Sequence, residues 1–113
     1  MKTLIVLVIA SLTFQFAYSQ CPGGQLEVQI QVTTDNWGYE CYWELVPSGN
    51  VCGNGTIFSG GNASQVGCNG GGAGTASSGG YGNNVTVTEG PWCLIDGADY
   101  DIIYVDDYGD GGA

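Results

Sequence analysis

The chain has 113 residues, of which 43% are hydrophobic and 21 are glycine, with a formal charge of −10; Lys2 is its only basic side chain and it has no histidine. That inventory excludes nucleic-acid binding, phosphate loops, imidazole triads and histidine zinc sites, which all need cations or imidazole. Cation binding, carboxylate-only catalysis, and binding or building through a neutral or acidic surface remain.

Lys2 is followed by an apolar run from Leu4 to Leu12, extended by Phe14, Phe16 and Ala17. It ends in Ala17-Tyr18-Ser19, with small residues where a signal peptidase needs them. Residues 1–19 therefore read as a signal peptide cut before Gln20. The alternative, a membrane anchor, needs a longer fully apolar run. A lipoprotein signal at Cys21 would want Gly, Ala or Ser in place of Gln20. No second apolar run of membrane length follows, so no membrane insertion is expected after cleavage. Removing 19 of the 113 residues leaves 94 and a formal charge of −11. That is one small secreted domain, extracellular or at the cell surface, with a core that needs staples.

Residues 25–34 alternate, with Leu26, Val28, Ile30 and Val32 on one face, and predict a half-buried strand. Asp35-Asn36-Trp37-Gly38 reads as a turn. Cys41 to Val46 resumes alternation, with Cys41, Trp43 and Leu45 together. Pro47-Ser48-Gly49-Asn50 turns again, and residues 56–59 suggest a short strand. Residues 85–88 alternate before Gly90-Pro91 breaks the pattern, and residues 92–95 form another apolar run. Residues 99–105 predict the last strand, with Tyr100, Ile102 and Tyr104 on one face. The leader apart, helical periodicity is absent. The pattern predicts an all-β chain, an antiparallel β-sandwich of jelly-roll or Ig-like type. The chain stops at Asp110-Gly111-Gly112-Ala113, straight after a turn signal, where a sandwich would return with one more strand. It therefore reads as C-terminally truncated, a fragment of a longer protein.

A secreted chain makes disulfides available to Cys21, Cys41, Cys52, Cys68 and Cys93. Two bridges among five cysteines allow fifteen arrangements. Cys52–Cys68 is preferred, because it closes the Gly-rich loop locally, worth about 3 kcal/mol in the loop-entropy model. The fifth cysteine is a free thiol, or its partner lies outside this chain. Residues 53–84 hold 12 of the 21 glycines and predict a long, mobile surface insert with little core. The functional alternative is a neutral hydrogen-bonding surface for a glycan or for self-association. Asn54, Asn62 and Asn84 begin glycosylation sequons.

Two turns share a pattern of Asp, then Asn or Asp, an aromatic, then Gly: Asp35-Asn36-Trp37-Gly38 and Asp106-Asp107-Tyr108-Gly109. Asp and Asn stabilise turns through nearby backbone N–H groups, and solvated turns are one reading. The other is calcium. Asp106, Asp107 and Asp110 crowd three carboxylates into five residues, and calcium accepts oxygen ligands from irregular loops. Asp35 joins them if both turns lie at one pole, and Gly109 and Gly111 permit the tight backbone. An EF-hand is excluded, because its third position would be Tyr108.

Residues 34–40, Trp43-Glu44-Leu45 and Asp106-Asp107-Tyr108-Gly109-Asp110-Gly111 resemble the two signatures of a secreted β-sandwich module. That module is common in large extracellular proteins of marine Bacteroidota, often those with type IX secretion sorting tails; related modules occur in some aquatic eukaryotes. The resemblance covers about residues 25–113. Departures are Gly38 where Pro is frequent, Cys41 where Thr is frequent, the long Gly-rich insert and the missing closing strand. The resemblance implies a non-catalytic accessory module with adhesion, carbohydrate or cell-surface roles. It would carry calcium on Asp35, Asp106, Asp107 and Asp110. Its partners would be glycans, surface or matrix proteins, and other domains of the same polypeptide.

Three functions compete on this reading. The first is that accessory module, not an enzyme, with Trp43 and Trp92 in packing and Trp37 available to stack on a sugar ring. The second is a structural repeat or subunit of a matrix or filament, assembling through an open sheet edge. The third is a two-carboxylate glycoside hydrolase, which only the presence of Asp and Glu supports.

Overall fold

The computed structural model describes residues 20–70 and 79–110. The leader, residues 71–78 of the Gly-rich insert, and Gly111 with the last two residues lie outside them.

Among the described residues the chain is all-β, with two antiparallel sheets. Five strands form them: β1 (Gln25–Thr33), β2 (Cys41–Pro47), β3 (Phe58–Gly61), β4 (Thr86–Ile95) and β5 (Tyr100–Asp106). One sheet pairs β1 with β4; the other has the order β3-β2-β5. A 3-10 turn, Gly38–Glu40, leads into β2.

The alternating residues of β1 behave as expected at Val28, Ile30 and Val32, which are half-buried between exposed polar neighbours. Two predicted segments merge. The runs at 85–88 and 92–95 are one strand, β4, which passes through Gly90-Pro91. The register against β1 slips between Val28 and Ile30, opposite that dipeptide. The slip absorbs the residues that lack a regular strand conformation, so the strand continues. β3 also lies two residues later than predicted.

The core forms on one face of β2. Cys41, Trp43 and Leu45 are buried there, and Ile30, Val32, Trp92 and Leu94 of the two-stranded sheet pack against them with Phe58, Tyr81 and Tyr100. Phe58 stacks on Trp92 at 4.5 Å between ring centroids, and Trp43 meets Trp92 edge-on at 5.9 Å. The Trp43 indole N–H donates to the Tyr81 hydroxyl (2.9 Å), which donates to Glu89 (2.8 Å). The buried polar end of Trp43 thus has a partner, as a buried indole needs.

The other face of β2 is buried too, which alternation does not predict. Tyr42, Glu44 and Val46 are covered by the segment after β2. Gly53 and Thr56 bond Glu44 from that segment, and Asn62 N–H donates to the Cys41 carbonyl. The expectation of an insert with little core is therefore corrected for residues 53–70. They carry β3 and bury Asn62 and Val66.

Two disulfides fix this arrangement. Cys52–Cys68 pins the covering segment, as preferred from the sequence, and Cys21–Cys93 ties the chain start to β4. Cys41 leaves the list of disulfide candidates. Its thiol is free and buried, and burial pushes it up to about 11. Almost no thiolate exists at neutral pH, so the thiol is chemically quiet. Being enclosed, it also cannot reach a cysteine of another chain. Two disulfides, with no described helix long and apolar enough to cross a membrane, are compatible with an extracellular protein.

Candidate functional site

Both acidic turns lie at one pole. The first follows β1, and the second follows β5. β5 pairs with β2 so that Cys41 stands opposite Asp106, and Asp107 N–H donates to the Glu40 carbonyl (3.0 Å). The antiparallel register therefore brings the end of β5 to the start of β2, where the first turn ends.

The two turns are built alike. Asp35 Oδ1 accepts from the N–H of Trp37 (2.7 Å), and Asp106 Oδ1 accepts from the N–H of Tyr108 (3.2 Å). Each Asp closes a turn onto the aromatic residue two positions later, which is the local chemistry expected of Asp there. The shared pattern thus places one exposed aromatic on each side of the pole. Gly109 supplies a positive φ of +79° after the second. Gly38 has a steric reason. A Cβ there would collide with the Gly82 carbonyl, and its N–H donates to Asn83 (3.1 Å). A proline there would lose that bond.

Carboxylate oxygens of Glu40, Asp106 and Asp110 lie within 4.8 Å of one another. Two of the four sequence-named metal residues, Asp106 and Asp110, are in this group; Asp35 and Asp107 are not. Glu40, the third carboxylate of the group, is not among the residues named from the sequence, although it closes the first acidic turn. The signal was its place next to β2, where a strand partner brings Asp106 across. Glu40 is buried. Burial, then Asp106 and Asp110, push its carboxyl above the usual carboxylate range. Glu44 with Cys52 and Cys68 is a second close group, but both sulfurs are committed to a disulfide, which leaves no thiolate to ligate.

Against the acid cluster lies a cleft of about 280 Å³, lined by Trp37, Tyr39, Glu40, Tyr108 and Asp110. Trp37 and Tyr39 meet edge to face, 6.1 Å apart with planes at 81°.

No known protein family, curated protein or solved structure matches this chain.

The pole is also tied to the covering segment. The Asn62 amide donates to the Tyr39 carbonyl (2.9 Å), and its own Oδ1 accepts from Gln65 N–H (3.3 Å). Asn62 is fully buried, unlike the other sequon asparagines, Asn54 and Asn84, which are exposed. Of the three tryptophans, Trp43 and Trp92 are packing residues and Trp37 is 50% exposed.

Proposed function

We propose that this chain is a non-catalytic extracellular accessory module of a larger secreted or cell-surface protein, with an adhesive role and a calcium-binding acidic pole. Its two sheets would form an antiparallel sandwich of jelly-roll or Ig-like type. The observation that carries this reading is the convergence of Glu40, Asp106 and Asp110 from two separate turns. The chain offers only Lys2 to oppose eleven carboxylates. Calcium, hard and tolerant of irregular loops, fits an all-carboxylate group. The resemblance to the Bacteroidota module supports the same reading.

Glu40 makes the reading testable. Its folded pKa is raised, so its contribution to stability is full below the unfolded value of about 4.3. That contribution is lost as pH rises through the folded value. At neutral pH without metal, Glu40 is a cost, and a divalent cation would remove it. Thermal unfolding should therefore be followed by tryptophan fluorescence in calcium and in EGTA. Calcium at a hundredfold excess over Kd adds about 2.7 kcal/mol, a rise of roughly 10 °C or more in a domain this small. Glu40→Gln should raise the midpoint in EGTA yet abolish the calcium shift. Asp110→Asn should shrink the shift and leave the EGTA midpoint nearly unchanged. A cooperative transition that calcium does not move would end the calcium reading.

A second reading, a matrix or filament subunit, is favoured by one observation. Ile102 and Tyr104 pair with Leu45 and Trp43 and so share their core face, yet they are 59% and 41% exposed. Leu26, paired with Leu94, is 54% exposed. Among the described residues β1 pairs on one side only. Sedimentation velocity should then show assembly that grows with concentration and that Ile102→Lys abolishes. A monomer at all concentrations would remove this reading.

A further inference from the structure

The cleft at the pole carries more chemistry than a metal ion would use. Of its five lining residues, Trp37, Tyr39 and Tyr108 are aromatic, and Glu40 and Asp110 are carboxylates. Trp37 and Tyr39 stand almost at right angles, 6.1 Å apart, and make two walls of a corner. Tyr108, 67% exposed, lines it from the second turn. Glu40 and Asp110 line the same cleft and bring negative charge to it, close to Asp106.

We infer that this cleft is a cage for an organic ammonium cation. Such a group combines positive charge with apolar methyl or methylene surface. Aromatic faces attract it through the ring quadrupole, most strongly at tryptophan, and carboxylates attract it by charge. A metal ion alone leaves the three aromatic walls unused. A neutral sugar could stack on them but gains nothing from the charge. An anionic ligand meets the two lining carboxylates, Glu40 and Asp110. At about 280 Å³ the cleft is at the small end of ligand sites, about 300–1,000 Å³. It suits a headgroup or a side-chain terminus rather than a polymer segment. The cation has two possible sources, a free quaternary ammonium compound or the lysine side chain of a partner protein.

The cage shares Glu40 and Asp110 with the calcium site but does not need the ion. The experiment is therefore calorimetric titration of the purified, secreted chain in EGTA. The probes are choline, N-acetyl-lysine methylamide, and 3,3-dimethyl-1-butanol, the neutral carbon analogue of choline. The expected result is saturable binding of an ammonium probe, with the neutral analogue at least about tenfold weaker, a difference of 1.4 kcal/mol. Tighter binding of choline names a quaternary headgroup as the source; tighter binding of the lysine amide names a side chain. Trp37→Ala and Asp110→Asn alter exposed side chains. Each should weaken binding at least about tenfold with the unfolding midpoint preserved. Equal binding of the neutral analogue overturns the inference. So does unchanged binding in both variants, or no saturable heat with either ammonium probe up to about 50 mM, well beyond a millimolar Kd. Ammonium binding by a calcium-insensitive chain would remove the calcium reading and keep this one. A calcium-shifted chain that ignores both ammonium probes would do the reverse.

Discussion

Replacing Cys21 and Cys93 together by alanine should remove about 4 kcal/mol of stability and leave most chains unfolded at 37 °C. The bridge spans 72 residues, and the loop-entropy relation gives that figure for a loop of this length. A domain of this size holds only about 5–15 kcal/mol in all. The bridge also has a local task. The two-stranded sheet of β1 and β4 has no third strand among the described residues, and isolated strand pairs are marginal in water. Cys21–Cys93 anchors the start of β1 against β4, where Glu27 pairs with Cys93. The shorter bridge, Cys52–Cys68, spans 16 residues and should be worth about 3 kcal/mol. Urea unfolding by tryptophan fluorescence separates the two variants. A loss below about 1 kcal/mol for the Cys21/Cys93 pair would mean that the unbridged chain already holds its ends together.

Glu44→Gln should cost about 3 kcal/mol, despite conserving shape. Glu44 is 1% exposed, and three donors converge on its carboxylate. They are the Gly53 N–H (2.5 Å), the Tyr42 hydroxyl (2.8 Å) and the Thr56 hydroxyl (2.9 Å). Burial works against the charged form, but these donors outweigh it and hold the carboxyl below the usual carboxylate range. An amide has one acceptor oxygen, and its NH₂ would face donors. Bonds to a charged group are each worth about 1.5–3 kcal/mol, and a stranded buried donor adds its own cost. The pH dependence has a definite sign. A depressed folded pKa gives stability that is present above the unfolded value of about 4.3 and is lost as pH falls through the folded value. Glu40, with its raised pKa, acts in the opposite direction. Glu44→Gln should therefore flatten the acid side of the stability curve, and Glu40→Gln should steepen it. Urea unfolding at pH 7 and pH 3 measures both. A cost within about 0.5 kcal/mol for Glu44→Gln would show that the donors find water instead.

The strands that alternate were legible. β1 announces itself because one side chain in two is apolar, and β2 and β5 because β-branched and aromatic residues run between turn signals. The covering segment was legible in its short strand and its disulfide but not in its burial, for a physical reason. It is anchored by a disulfide, by donors to one carboxylate and by Asn62, rather than by apolar side chains. Its strand, β3, includes Gly60, where a Cβ would run into the Trp43 indole. The smallest residue therefore marks a packed position that composition presents as loop. The merger at Gly90-Pro91 has the same character, because a breaking dipeptide is tolerated where the register slips. At the pole, the two Asp-aromatic turns were visible in the chain. Their meeting was not, since it depends on β2 and β5 pairing with Cys41 opposite Asp106. That pairing is also what brings in Glu40, a residue whose own neighbours in sequence give no hint of Asp106 or Asp110.

The buried Asn62 sets a condition on how the chain can be produced. Its amide is spent on the Tyr39 carbonyl, beneath the pole, in a tripeptide that an oligosaccharyltransferase recognises. In a glycosylating secretory pathway the enzyme meets the chain before folding. A sugar added then has no room in the native structure, and the modified chain is trapped on the unfolded side, while the same addition at Asn54 is harmless. Hosts without that enzyme avoid the competition between modification and folding. In the others, yield becomes a race that Ser64→Ala would take out of play, since it erases the acceptor signal and keeps the Asn62 amide on Tyr39, losing only the long contact of the Ser64 hydroxyl with Asn62 (3.4 Å).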